Sequence, residues 1–459
     1  MNIWVLANGE RGSVPVRGEV RLVILLTLFR PESIGFGMRL SYTGLAFLIS
    51  VLLARLLGPA PLGAYYEVFA WIVLISTIVQ SGWGGFLVRE VAALREAGRF
   101  GELRGLTRLA IHLITGVSVA AALALVAISY HTANTETYTL FLVGAPVLLL
   151  LSTSTVRQAI TRGLGMPLRG SVSENIVRPG LQSIGLVCFA LGLFNIPFDP
   201  IVAMLVFLAA TALASATAFL LEKDALRHIP RDQPRRLPPR AEWMKPLIRT
   251  AMLGWASAFS LQVGTIVLGT TSTNVEIANF RVAQQLSLLL ALGLGVVTTL
   301  YARDFSRYFI RGDMAAIQRL ASKGAAISGA TALPLGLIFL FAGSPVISFL
   351  YGPAFSPAVL PLAIMTAGQL GNNFFGPVTS ICLGTRNDKP ALYAHLVSVT
   401  ANAALCLLLA PVLGAVGAAI AYAISLVGWN AILFVVLRRR LGITCFAGIG
   451  LKGRSANKE

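Results

Sequence analysis

Residues 390–440 read PALYAHLVSVTANAALCLLLAPVLGAVGAAIAYAISLVGWNAILFVVLRRR and carry the pattern that decides the fold. From Pro390 to Leu437 there is no Lys, Arg, Asp or Glu, and three consecutive arginines then begin at Arg438. An apolar run of roughly 20 residues crosses about 30 Å of hydrocarbon as a helix, because every backbone polar group must be bonded within the segment. The stretch therefore predicts two membrane spans, 390–411 and 415–437, whose arginine-bearing end faces the cytoplasm.

The same alternation of apolar runs and charged connectors recurs along the whole chain. It predicts spans near 35–57, 67–88, 107–130, 137–161, 172–194, 200–222, 247–269, 277–302, 322–343, 357–383, 390–411 and 415–437. Connectors after the even-numbered spans are rich in Arg and Lys, whereas the connectors between them carry none. Because basic residues stay on the cytoplasmic side, this sorting predicts a multi-pass protein of the bacterial inner (plasma) membrane with both termini cytoplasmic.

Composition agrees with that prediction, since 56% of the 459 residues are hydrophobic and only 12% are charged. A water-soluble domain of this size is excluded.

The formal net charge of +18 would suit a nucleic-acid partner, but the basic residues cluster in short connectors, so no nucleic-acid partner is predicted. The apolar run Leu22 to Phe29 is too short for a signal peptide and is expected to lie along the cytoplasmic interface.

The chain divides at a long, proline-rich and basic connector. The predicted order is a cytoplasmic N-terminal segment (1–33), a six-helix lobe (34–222), a cytoplasmic basic linker (223–246), a second six-helix lobe (247–440) and a cytoplasmic tail (441–459). The fold class is thus an all-α membrane protein of about twelve transmembrane helices in two lobes around a central cavity.

Several residues match between the halves at one constant offset. Gly98 corresponds to Gly312, and Leu103 to Ile317. Because each half has an even number of spans, the predicted repeats are parallel and related by an axis along the membrane normal.

No pattern typical of an enzyme, a metal site or a cofactor site is present. The four histidines are scattered without partners at metal-ligand spacing, and the four cysteines indicate no disulfide framework. The predicted protein is therefore neither an enzyme nor dependent on a cofactor.

The few ionisable residues within spans are the candidates for function, because charge at that depth is costly and marks a water-filled pathway. Arg281 is the foremost, since Gln284 and Gln285 follow it on the same helical face. Arg39 is the second, although it could equally extend its charged end to the cytoplasmic headgroups.

Arg55 and Arg178 are further candidates, each with a structural alternative. Arg178 follows Glu174 at i,i+4, so the two charges could simply neutralise each other, and Arg55 could be an interfacial anchor. A cavity lined by guanidinium groups suits an anion, above all a phosphate or diphosphate. An exporter of cationic drugs is expected to carry a carboxylate in its first or seventh span, and neither predicted span has one.

Four stretches resemble one known family, the polysaccharide and lipid-linked oligosaccharide flippases of the multidrug/oligosaccharidyl-lipid/polysaccharide exporter superfamily. They are LARLLGPAPLGAY (53–65), EIANFRVA (276–283), LYGPAF (350–355) and GAVGAAIA (414–421). Together they extend the resemblance over nearly the whole chain. Many relatives carry an Asp in the seventh span, where this chain has Gln262 to Thr265, so carboxylate-based ion coupling there is in doubt.

The resemblance implies a transporter that moves a polyprenyl-diphosphate-linked oligosaccharide outward for polysaccharide biosynthesis by alternating access. The expected partners are that substrate, the lipid bilayer, and a polysaccharide polymerase or other glycan assembly proteins. The alternatives left open are an exporter of drugs or small metabolites in the same superfamily, and a scaffold of a glycan assembly complex. A membrane enzyme acting on lipid-linked glycans is disfavoured, because the predicted outward connectors are all short.

Overall fold

The computed structural model describes residues 31–447 apart from 133, 231 and 238. Within this part the chain forms helices and no β-strand, so the predicted all-α class is confirmed. The predicted interfacial segment Leu22 to Phe29 lies outside the described residues.

The helices of the first half begin and end close to the predicted spans, with one exception. They are α1 (Pro31–Leu57), α2 (Pro59–Gln80), α3 (Trp83–Glu96), α4 (Phe100–Thr132), α5 (Thr135–Gly163), α6 (Arg169–Val172, a π-helical segment Ser173–Val177, and Arg178–Ala190) and α7 (Pro200–Arg227). The prediction of a second span at 67–88 is wrong at both ends. The helix begins at Pro59, because proline suits a first helical position, and it ends before Gly82, whose φ of +86° turns the chain into α3.

The helices of the second half repeat this arrangement. They are α8 (Arg240–Thr271), α9 (Asn274–Leu288), α10 (Leu292–Ile310), α11 (Met314–Phe341), α12 (Gly343–Leu350), α13 (Val359–Phe375), α14 (Val378–Gly384) and α15 (Asp388–Leu441). Helix α15 folds back on itself at Gly414, where φ is +54° and ψ is −134°. The hydroxyl oxygens of Ser398 and Ser425 lie 2.7 Å apart across this turn, so α15 forms two antiparallel passes.

In the described part of the chain, nine helices are long and apolar enough to cross a membrane. The stretch Asp388–Leu441 counts once among them, although it makes two passes. The protein is therefore a multi-pass membrane protein, while the total of twelve spans stays a prediction.

The two halves share a structural repeat at the offset noted in the sequence. Gly98 precedes α4 with φ of +68°, and Gly312 precedes α11 with φ of +72°. Leu103 and Ile317, one turn into these helices, are both fully buried. The predicted two-lobe repeat is confirmed at these positions.

The segment that follows each half, the linker after α7 and the tail after α15, is hydrogen-bonded to the first turns of α4 and α11 respectively. Gln233 accepts from the backbone N–H of Gly101 at 2.9 Å, and Arg104 donates to the Gln233 carbonyl. In the second half Gln318, equivalent to Arg104, donates to the Thr444 carbonyl at 2.7 Å. The same positions of the repeat thus hold the linker and the tail.

The packing of the core shows which end of the bundle is closed. We call the end with the Arg- and Lys-rich connectors the basic end, and the opposite one the neutral end. One large hydrophobic core joins both halves and includes Leu62 and Tyr65 of α2 with Ile277 and Phe280 of α9. Two further cores are separate from it. One includes Leu103 of the first half together with Trp243 at the start of α8, and the other includes Ile317 and lies within the second half. The halves therefore share their largest core at the neutral end, while α8 also contacts the first half at the basic end through Trp243.

Contacts at the neutral end agree with this closure. A Cβ atom added at Gly63 of α2 would overlap the carbonyl oxygen of Asn274, so the backbones of the two halves touch there. Ser50 and Tyr351 also form a hydrogen bond of 3.3 Å between the halves.

Gly414→Ala is expected to lower the thermal unfolding midpoint of the purified protein. An alanine at φ of +54° is strained by about 1–2 kcal/mol, and its Cβ would lie 2.5 Å from Glu276 Oε2, the oxygen that accepts from the Ala415 N–H. Gly428→Ala, in the same helix but with open space around its Cβ position, is the matched control. Equal midpoints for both variants would contradict the assigned role of Gly414.

Candidate functional site

A cavity of about 370 Å³ lies between α1, α2, α5, α6 and α7 of the first half and α8 and α9 of the second. Its lining combines apolar and polar side chains and is almost uncharged, with seven serine or threonine side chains and a single carboxylate, Glu174. Two cations line it, Arg178 and Arg281. Six glutamines supply most of the remaining polar groups: Gln80, Gln158, Gln182, Gln262, Gln284 and Gln285.

Arg281 is held in the cavity by neutral groups. Its Nη1 donates to Gln284 Oε1 at 2.9 Å and to Gln262 Oε1 at 3.4 Å. Its guanidinium carbon lies 4.7 Å from the ring centre of Tyr66 and 5.8 Å from that of Phe69. Among the described residues no carboxylate pairs with it. The positive charge is thus oriented and uncompensated, which favours an anionic ligand.

Local sequence explains why Arg281 points into the cavity. The Thr273 hydroxyl caps α9 by accepting from the Glu276 N–H at 3.4 Å, which fixes where the helix begins. Residues 281, 284, 285 and 288 then share the face that lines the cavity. Gln284 is itself anchored, because its Nε2 donates to the Leu261 carbonyl at 3.2 Å.

Arg178 lies in another wall of the same cavity, immediately after the π-helical segment Ser173–Val177. Its Nη2 is 3.9 Å from Glu174 Oε1, at the outer limit of an ion pair, and it forms no hydrogen bond to a described residue through its side chain. The pair predicted at this spacing therefore exists, but its geometry is loose.

Arg39 lies at the basic end and is not part of the cavity lining. It is exposed, and its Nη1 donates to Thr299 Oγ1 at 3.2 Å. Since Thr299 belongs to α10, this bond joins the two halves at the basic end.

Arg55 lies at the neutral end, away from the cavity. Its Nε donates to the Leu350 carbonyl at 2.8 Å and its Nη2 donates to the Phe349 carbonyl. Both acceptors belong to the second half, so Arg55 connects the halves where they close.

Arg55→Ala is expected to loosen the neutral end, because two charged hydrogen bonds between the halves are lost. A cysteine at Ser50, in a variant without the native cysteines, should then react several-fold faster with a membrane-impermeant maleimide in intact cells. Arg55→Lys keeps the charge and one donor, so its labelling rate should be intermediate. Equal rates in all three proteins would exclude this role.

The sequence did not single out Tyr66, Phe69 or Gln262, which surround Arg281. The only available signal was the polarity of Gln262 within an apolar span, since aromatic residues at helical spacing indicate core packing more often than a ligand site. Gln369 and Asn372 are polar residues within an apolar span. The Asn372 side chain donates to Gln369 Oε1 at 3.1 Å, and both residues lie outside the cavity.

Comparison with known proteins places the chain in a family. Residues 34–301, more than half of the chain, match the polysaccharide biosynthesis protein family. The uncharacterized membrane protein EpsK of Bacillus subtilis (strain 168) is 34% identical over 152 residues. That match covers 32% of this chain and spans 30% of the length of EpsK.

Solved structures show the same architecture. A multidrug resistance MATE family transporter of the MOP superfamily, in an inward-facing conformation, aligns with a TM-score of 0.69 at 16% identity, over 92% of this chain and 100% of that chain. The lipid II flippase MurJ, in an inward closed conformation, aligns with a TM-score of 0.65 at 16% identity over 88% of each chain. Identities this low demonstrate a shared fold only.

The family resemblance predicted from the sequence is therefore confirmed. The protein is a membrane-embedded member of the polysaccharide biosynthesis protein family, with the two-lobed helical fold of the MOP superfamily.

Proposed function

We propose that the protein is a non-enzymatic transporter that flips a polyprenyl-diphosphate-linked oligosaccharide across the inner membrane by alternating access, for polysaccharide biosynthesis. The observation that carries the proposal is Arg281, an uncompensated cation in a cavity lined by both halves of the protein. A planar, oriented guanidinium suits a phosphate group of the diphosphate, because two phosphate oxygens can accept from it in parallel.

The rest of the lining suits the sugars of such a substrate. A glycan cannot cross about 30 Å of hydrocarbon unaided, because each hydroxyl that loses water without a new partner costs on the order of several kcal/mol. Amide and hydroxyl side chains replace that water. The cavity accommodates the diphosphate end of the substrate, while the polyprenyl chain stays in the bilayer.

Arg39 and Arg55 would act outside this pocket. Arg39, at the basic end, would be the first of these cations to meet a substrate that enters from the cytoplasmic leaflet. Arg55 would stabilise the closed neutral end until the two halves move relative to each other during transport. A polysaccharide polymerase or another glycan assembly protein would receive the flipped substrate.

The decisive experiment measures on which face of the membrane the polyprenyl-diphosphate-linked glycan is found, with a glycosidase that cannot cross the bilayer. Loss of the protein should leave the glycan on the cytoplasmic face, and wild-type protein should restore it to the outer face. Unchanged sidedness would refute the flippase and favour the export of a small metabolite or drug. The scaffold alternative is tested with a variant that cannot change between its two conformations. If that variant still binds the glycan assembly proteins but no longer exports the glycan, the scaffold alternative is refuted.

A further inference from the structure

Arg178 is the second cation in the cavity, and its side-chain donors are unused. Its side chain is only 17% exposed, yet it donates no hydrogen bond to a described residue, and its sole ionic partner Glu174 is 3.9 Å away. A guanidinium carries several N–H donors, and burying them without acceptors is unfavourable. The guanidinium of Arg178 therefore presents its donors to the cavity.

The backbone immediately before Arg178 departs from regular α-helical geometry. The Arg178 N–H donates to the Ser173 carbonyl, five residues earlier, which makes this turn π-helical. Such turns are rare and frequently occur at functional sites. The Ser173 hydroxyl is also buried without a hydrogen-bond partner among the described residues. The local distortion thus leaves two kinds of donor unpaired next to the cavity.

Arg178 and Arg281 belong to different halves of the protein. Helix α6 packs against α1 and α7, whereas α9 packs against α2, α8 and α13. Both cations nevertheless line the same cavity of about 370 Å³, and Arg281 also lies over the ring of Tyr66. One substrate can therefore reach both cations, with one anionic group at each.

We propose that Arg178 binds an acidic group on the glycan itself, a carboxylate or an acidic substituent, while Arg281 holds the diphosphate. This inference rests on the proposed function and specifies its substrate class as an acidic oligosaccharide. Glu174 is a weak internal competitor that occupies Arg178 until the acidic sugar displaces it. Arg178 is thus the residue that determines specificity.

The experiment uses the full-length protein in liposomes and two probes. One is a polyprenyl-diphosphate-linked oligosaccharide with a single uronic acid, and the other is the same compound with that carboxyl reduced to an alcohol. Wild type should flip the acidic probe about tenfold faster, which corresponds to one charge-assisted hydrogen-bonded contact. Arg178→Gln should bring the ratio of the two rates close to one, and Arg178→Lys should retain part of the preference.

The Glu174→Gln variant best distinguishes a substrate-binding role of Arg178 from a purely structural ion pair with Glu174. If Glu174 competes for Arg178, its removal should raise the ratio of acidic to reduced probe. A structural pair predicts that Glu174→Gln and Arg178→Gln both lower the unfolding midpoint and leave the ratio at the wild-type value.

The two proposals fail in different ways. An equal loss of both probes in Arg178→Gln, with the wild-type ratio retained, would mean that both arginines hold the diphosphate, which overturns this inference and leaves the flippase intact. Equal flipping rates of the acidic and the reduced probe by wild type would also overturn the inference that Arg178 binds an acidic sugar. Undiminished flipping of both probes by Arg281→Gln would overturn only the role of Arg281, whereas the absence of flipping of either probe by wild type would overturn the proposed function.

Discussion

Arg281→Ala is expected to slow the flipping of lipid-linked glycan by about 10- to 100-fold, the loss that corresponds to removing a hydrogen-bonded charge contact. The guanidinium is held by Gln262 and Gln284 and lies over Tyr66, so it is positioned before the substrate arrives. Arg281→Lys keeps the charge and loses the planar fork, so it should restore only part of the rate. The measurement is the time course of glycosidase accessibility in cells or liposomes.

Stability separates a binding role from a structural one at this position. A buried cation without a carboxylate partner is costly to the fold, so Arg281→Met should unfold at the same temperature as wild type or higher. Arg311→Ala, an exposed arginine at the basic end, is the control for a general loss of positive charge. A clear fall in the unfolding midpoint of Arg281→Met, with an unchanged flipping rate, would assign Arg281 to the fold and not to the substrate.

Gly63→Ala is expected to be the most damaging single-methyl change in the first half. Its Cβ would overlap the backbone of Asn274, which cannot withdraw as a flexible side chain could. Overpacking of this kind costs about 1–3 kcal/mol. Because the contact joins the halves at the neutral end, the cost falls on the closed state, and the population open at the neutral end should rise by roughly 5- to 150-fold.

Two measurements check this prediction for Gly63. A cysteine at Ser50 should react faster with an impermeant maleimide in the Gly63→Ala background, and the flipping rate should fall because the cycle no longer returns to the state with a closed neutral end. Gly116→Ala is the matched control, since a Cβ at that helical glycine meets nothing within 4 Å. Labelling of Gly63→Ala at the wild-type rate would show that this contact does not set the closure.

How far each feature could be predicted depends on the range of the interactions that create it. The turn at Gly414 lies between two apolar runs, and the matching glycines Gly98 and Gly312 are visible in the sequence because each acts within its own segment. The error at α2 arose because Pro59 begins a helix before the apolar run becomes continuous. Arg55, by contrast, has its partners in residues 349 and 350, and nothing local to position 55 indicates them.

The sequence by itself determined the membrane location, the all-α class, the division into two repeated halves and the cationic nature of the candidate residues. These follow from hydropathy and charge order, which act along the chain and need no knowledge of which helices meet. Only the tertiary structure decided that Arg281 and Arg178 share one cavity, that Tyr66 and Gln262 position the first, and that Arg55 bonds the neutral end. The reason is physical, because the depth of a charge in the bilayer is set by its own segment, whereas its partners come from distant segments brought together by packing.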